Sequence, residues 1–211
     1  MPNSKDLEVK VNTPAEALQK LKEGNFRFIN NMLVNKDLLF RVIETKDGQA
    51  PFAAILSCMD SRVSAELVFD QGLGDIFSIR IAGNIVSNGI LGSLEYATAV
   101  AGAKLILVLG HTNCGAVKGA CDHVELGHLS ELLGNIKPAL EQETATIHDR
   151  TSNNAEFVYA VTKLNVEHSV KEILERSSII KQLADEGKVA VVPAIYDVAT
   201  GKVTFAGFDV S

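Results

Sequence analysis

Cysteine is scarce in this chain, with three in 211 residues, and three such residues form no disulfide framework. Long apolar runs are also missing. No segment approaches the ~20 apolar residues of a membrane helix, and Met1-Pro2-Asn3-Ser4-Lys5-Asp6 carries no apolar signal core, so a cytoplasmic protein is expected. Excess positive charge is lacking: 20 Lys and Arg against 26 Asp and Glu give a net charge of -6 with no basic stretch. Phosphate binding relies on clustered cations, which argues against a general nucleic-acid binder. Internal repeats and low-complexity tracts are absent too. What remains is a chain of one-domain length whose 46% hydrophobic content suffices for a substantial core.

Two of the three cysteines stand in short segments that follow apolar runs. Ala53-Ala54-Ile55-Leu56 leads into Cys58-Met59-Asp60-Ser61-Arg62, and Leu105-Ile106-Leu107-Val108-Leu109 leads into His111-Thr112-Asn113-Cys114-Gly115. Continuous apolar runs of this length suit strands of a parallel sheet buried on both faces. Both segments then fall at carboxyl ends of strands, where open α/β sheets bind ligands. Two thiolates and one neutral imidazole fill three corners of a tetrahedral zinc site and leave the fourth for water, the pattern of a catalytic rather than a structural ion. The separation of His111 and Cys114 is one at which two side chains converge from a single helical turn, with Gly110 and Gly115 permitting a tight backbone. Asp60 and Arg62 add a carboxylate oriented by a charge-assisted partner.

Each feature has a plain alternative. A lone Cys at a strand end packs as a small hydrophobe, and a lone Asp-Arg pair is an ordinary salt bridge. The coincidence decides for the metal site, because both strand ends carry ligand types and one also carries the ion pair. Cys121, left over, reads as a packed helix thiol, and His123, His128, His148 and His168 as surface or capping residues.

Cys-x-Asp-x-Arg followed about fifty residues later by His-x-x-Cys resembles the β-class carbonic anhydrases, and the resemblance covers nearly the whole chain. Residues 15–25 look like the family's N-terminal helix, 75–84 like its strand and active-site turn, and 92–97 like the start of the next helix. The resemblance implies Zn²⁺ held by Cys58, His111 and Cys114, one ion per chain, and an Asp60–Arg62 dyad beside the metal-bound water. It further implies a substrate pocket drawn from Gln49, Phe77, Ala82, Tyr96 and Gly115, partly from a neighbouring subunit, and therefore a homodimer or homotetramer. Gln49 matches the glutamine of the plant-like, open members. Self-inhibited members share a bicarbonate pocket of tryptophan, arginine and tyrosine; Arg80 and Tyr196 match two of these, but Ile55 holds the tryptophan position and the chain has no tryptophan. The open form is expected near neutral pH.

The implied reaction is reversible hydration of carbon dioxide to bicarbonate and a proton by zinc-bound hydroxide. Two thiolates cancel the formal charge of zinc, so the bound water should ionise above the value of about 7 seen with three neutral imidazoles. Two other readings stay open: hydrolysis of carbonyl sulfide or carbon disulfide on the same scaffold, and a catalytically idle zinc-binding interaction protein. The expected architecture is one α/β domain over residues 1–211. Residues 1–50 form a helical arm, and 51–211 form a zinc-binding core with a mainly parallel sheet flanked by helices. A late strand over 188–196, a turn over 197–202 and a strand over 203–208 give a C-terminal antiparallel hairpin. The amphipathic stretch 15–28 suits either an arm around a second subunit or a helix on its own sheet.

Overall fold

The two apolar runs form the centre of the sheet. In the computed structural model, which describes residues 11–34 and 36–206, β1 is Ala53–Ser57, β2 Ile76–Arg80, β3 Leu105–His111, β4 Ala190–Tyr196 and β5 Val203–Phe205. The strand order is β2-β1-β3-β4-β5. All neighbours run parallel except β4 and β5. Every residue of β1 and β3 is buried, as strands covered on both faces require.

Side chains alternate between two layers. On one face Ala53, Ile55, Leu105, Leu107 and Leu109 pack with Leu18 and Leu21 of α1 (Pro14–Ile29) and with Phe69, which follows α3 (Ala65–Val68). On the other, Ala54, Leu56, Ile106 and Val108 meet α4 (Asn88–Glu95), α8 (Ala155–Arg176) and α9 (Ser178–Asp185) through Leu94, Val166, Ile173 and Ile180. A third cluster, built from α5 (Gly115–Cys121), α6 (Gly127–Gly134), α7 (Lys137–Gln142) and α8, closes around Cys58 and Cys114.

Thr13 and Glu16 form a capping box at the start of α1, with Pro14 in its first turn. Buried Ala17, Leu18 and Leu21 seat α1 on its own sheet, so of the two placements foreseen for this stretch the structure shows the intramolecular one. Asn25 fastens it there. Its amide donates to Val68 O and Gly201 O, and its Oδ1 accepts from Val203 N, which ties α1 to the C-terminal hairpin. The end of α1 and all of α2 (Leu38–Thr45) are different: α2 has no buried residue, and Phe26, Met32, Leu39, Phe40 and Ile43 are exposed. The hairpin turns through Asp197, whose N–H donates to Lys202 O. β5 is short, and positions 207 and 208, expected in that strand, lie outside the described residues. Residues 92–95 form the second half of α4 rather than its start, because Ser87 caps the helix five residues before Gly92, and 96–97 belong to the π-helical turn Tyr96–Val100 that continues it.

Candidate metal centre

β1 and β3 are neighbours with Ser57 opposite Leu109, so Cys58 leaves one strand beside the place where His111 ends the other. Cys114 follows as the N-cap of α5. The ligand atoms of Cys58, His111 and Cys114 all lie within 4.8 Å of one another, and all three residues are buried. The two sulfurs are 3.9 Å apart. His111 and Cys114 converge across a strand-to-helix turn, not within one helical turn as their spacing suggested. The left-handed residue that makes this turn is Asn113, φ 57°, neither of the flanking glycines. Gly110 serves another purpose: a Cβ there would meet Val166 Cγ2 at 2.4 Å, so its absence lets α8 pack directly behind His111. Gly115, exposed in the first turn of α5, has no atom near its missing Cβ.

The donor set fits a divalent cation. His111 Nδ1 lies 2.9 Å from Thr112 O, a carbonyl, so this nitrogen carries the hydrogen and Nε2 presents its lone pair. Nε2 is buried and has no hydrogen-bond partner, which is costly unless a cation takes that lone pair. The thiols tell the same story. The hydrogen bond from Cys114 holds the Cys58 thiol far below its ordinary range against the opposing effect of burial, with smaller help from His111 and the Gly83 N–H. Cys114 is pushed up by the same bond to Cys58, by burial and by the charge of its neighbour. Without a cation Cys58 is therefore the thiolate and Cys114 the thiol that donates to it; both can ionise side by side only with a cation between them, and a pair of soft thiolates with one imidazole fits zinc.

Asp60 lies next to this trio without belonging to it. Arg62 grips it as a fork: Nε to Oδ1 at 2.9 Å and Nη2 to Oδ2 at 2.6 Å, with the Arg62 backbone N also donating to Oδ1 at 3.0 Å. Asp60 Oδ2 is 3.9 Å from His111 Nε2. The Arg62 side-chain bonds, followed by its backbone bond, hold the Asp60 carboxyl well below the usual carboxylate range despite partial burial. Arg62 Nη2 also reaches Asn113 O at 3.4 Å, which joins the two motif loops.

Arg80 has a role that the sequence did not reveal. At the carboxyl end of β2 its Nη2 donates to Asp60 O at 2.6 Å and its Nε to Cys58 O at 3.3 Å, which fixes the backbone of the loop bearing the ligand and the dyad. A cation closing an edge strand next to the first motif was the available signal. A backbone donor was also invisible in the sequence: Gly83 N–H points at Cys58 Sγ, 3.4 Å away.

Ala82 adjoins Gly83 in the chain, as Gly115 adjoins Cys114; the other pocket residues do not gather at this centre within one chain. Phe77 and Tyr96 pack edge to face at 6.2 Å and line a separate groove beside β2 with Ser78, Ile79, Gly89, Gly92 and Ser93. Gln49 is exposed on the loop with Thr45, Lys46, Asp47 and Gly48, before β1 and thus at the amino end of the sheet. Cys121 is buried in α5, and burial pushes its thiol up to about 11, as a packed thiol requires. His123, His128 and His148 are exposed and His168 is half-buried.

The carbonic anhydrase family matches residues 53–203. A carbonic anhydrase of Mycolicibacterium smegmatis is 35% identical over 204 residues, covering 96% of this chain and 94% of that protein. Among solved structures, one of two tetrameric β-carbonic anhydrases from the ascomycete Sordaria macrospora superposes with a TM-score of 0.71 at 27% identity, over 80% of this chain and 90% of that one. The Coccomyxa β-carbonic anhydrase in complex with acetazolamide gives 0.70 at 27% identity, over 90% and 86%. With the family match spanning the sheet and both motifs, and with the mainly parallel architecture shared, the chain belongs to the β-class carbonic anhydrases.

Proposed function

We propose that Cys58, His111 and Cys114 hold the zinc ion of a carbonic anhydrase, and that Asp60 and Arg62 are its catalytic dyad. The chain hydrates carbon dioxide reversibly to bicarbonate and a proton. The observation that carries the assignment of residues is the convergence of three buried ligand atoms within 4.8 Å of one another, with an Arg-locked carboxylate oxygen 3.9 Å from the unpartnered imidazole nitrogen. Zinc bound by these ligands supplies Lewis acidity and a nucleophilic hydroxide at accessible pH. The protein does the rest by position. With zinc held there, Asp60 Oδ2 would accept a hydrogen bond from the attacking water or hydroxide and so orient it towards carbon dioxide. Arg62 keeps Asp60 ionised and fixed, so Asp60 accepts hydrogen bonds but does not take up the released proton, which passes to buffer.

Carbonyl sulfide and carbon disulfide hydrolysis, and a catalytically idle role, are not favoured: the relatives described above are carbonic anhydrases, and the dyad is intact. The Asp60–Arg62 fork also supports the open form, because Asp60 would have to leave Arg62 to displace the substrate water. Phe77, Tyr96 and Gln49 complete a substrate pocket only across an interface between copies. The exposed apolar α2 and the end of α1 provide such an interface, and a related structure is tetrameric, so the active protein is a homodimer or larger. Among the described residues no helix is long and apolar enough to cross a membrane. The need for two reduced thiols favours the cytoplasm. Stopped-flow measurement of carbon dioxide hydration on metal-analysed protein tests the function. Zinc-loaded protein should be active and metal-free protein inert; zinc-loaded protein without activity would sink the assignment.

A further inference from the structure

The Gly83 N–H that points at Cys58 Sγ sits in a turn that does not hold itself. Ala82–Asn84 is a single 3₁₀ turn in which Gly83 and Asn84 both take left-handed backbone angles, φ 67° and 46°. Consecutive left-handed residues, one of them not glycine, persist only where neighbouring structure enforces them. Two buried side chains of α8 supply that enforcement. Asn165 Nδ2 donates to Gly83 O at 2.8 Å, and Ser169 Oγ shares its one hydrogen between Asn84 O at 3.1 Å and Asn165 O of its own helix at 2.9 Å. Asn165 is 1% exposed, and its Oδ1 has no hydrogen-bond partner, so the donor half of this amide is the half in use. The turn is also wedged from its other side, since a Cβ on Gly83 would meet Ile136 Cδ1 at 2.8 Å and Ala116 Cβ at 3.2 Å.

The peptide on either side of Gly83 therefore has one orientation. The Gly83 carbonyl, in the peptide to Asn84, is held by α8, and the Gly83 N–H, in the peptide from Ala82, faces the sulfur 3.4 Å away. Given the metal centre assigned above, we propose that Asn165 is a positioning residue for that centre: through the Gly83 carbonyl it aims the Gly83 N–H at Cys58 Sγ, and Ser169 steadies the next peptide. Neither side chain touches the ligands. They act on the electron density and placement of one sulfur, a support of the kind whose removal costs about 10–100-fold in metal affinity.

Asn165→Leu keeps the side-chain shape and removes the donor. Thr162→Val is its control, since Thr162 lies on the same helix, is equally buried, and bonds only to Val158 O of its own helix, at 2.8 Å. Zinc affinity is measured by competition with a chromophoric chelator, and the thiolate-to-metal charge-transfer band is recorded after cobalt substitution, both at matched circular dichroism. Asn165→Leu should bind zinc about 10–100-fold more weakly. Its cobalt band should move to lower energy, because a thiolate without its N–H donor releases charge more readily. Ser169→Ala should shift both in the same direction by less, and decides the matter should Asn165→Leu not fold. Thr162→Val should match the parent. A parental protein that takes up no zinc overturns the metal centre itself. A zinc-binding parent with unshifted Asn165→Leu, or unshifted Ser169→Ala where only that variant folds, or with losses as large in Thr162→Val, overturns the positioning role alone.

Discussion

Asp60→Asn separates the dyad from an ordinary surface ion pair. The replacement is nearly isosteric, and the bonds to the Asp60 backbone carbonyl, from Val63 N at 2.9 Å and from Arg80 Nη2, survive it. The loop should stay in place and the melting temperature should hardly move. The side chain loses much more. Three Arg62 donors converge on the carboxylate at 2.6 to 3.0 Å, and an amide answers them with only one oxygen. The NH₂ end must then face either Arg62, which repels it, or the nucleophile, to which it donates where acceptance is needed. Loss of one preorganised contact of this kind costs about 10²–10³ in turnover, or roughly 3–4 kcal/mol of barrier. Asp60 is outside the metal trio, so zinc content should hold. Its carboxyl is held well below the usual range, so it is ionised throughout the assay window and the loss should be nearly uniform from about pH 6.5 to 9, a range chosen around a water pKa near or above 7. Carbon dioxide hydration at matched zinc and matched oligomeric state is the assay. Near-parental turnover, or a fall in stability with turnover intact, would refute the catalytic role.

Cys58→Ser and Cys114→Ser should each lose most bound zinc on dialysis, as read by atomic absorption; full occupancy in both would show that the ion sits elsewhere. Leu39→Asp combined with Phe40→Asp, on the exposed apolar side chains of α2, should yield monomers by sedimentation and abolish activity, whereas an active monomer would remove the need for a partner's pocket residues. Asp70→Asn should cost about 2 kcal/mol in urea unfolding at pH 7, because the amide keeps one uncharged oxygen and turns its NH₂ either to Lys36 or to Arg27 and the Val34 N–H, which loses the buried charge that they share. That cost depends on pH with a definite sign. Burial raises the Asp70 carboxyl, but Lys36, Arg27 and Val34 together lower it below its unfolded value, so its contribution is complete above about pH 4 and fades as pH falls through the folded value. The gap between parent and variant should therefore narrow at about pH 3; a constant gap would refute the linkage.

The sheet centre was legible because burial on both faces leaves a signature in composition: four consecutive apolar residues in β1 and five in β3. The candidate ligands were legible because zinc accepts few residue types and both motifs stood at strand ends. The path of the backbone between His111 and Cys114 was not, since three-residue spacing is equally compatible with a helical turn and with the strand-to-helix turn that Asn113 makes. Glycine misled for a related reason. Gly110 is where α8 approaches the strand, a fact about Val166, more than fifty positions downstream, that no local pattern contains.

The same limit explains which parts of the centre were visible and which were hidden. A side chain that binds metal must have a particular identity, so Cys58, His111 and Cys114 announce themselves. Groups that orient them act largely through peptide units, and a peptide N–H or carbonyl is present at nearly every position. Gly83 N–H, Thr112 O and the Asp60 carbonyl gripped by Arg80 are specified by conformation rather than by residue type. Conformation here is enforced by residues remote in sequence, Asn165 and Ser169 among them. Substitutions at the ligands and dyad therefore test the reaction, whereas substitutions on α8 test how the fold holds its sulfur. Only the second kind distinguishes a chain that merely contains the motif from one whose tertiary structure aims it.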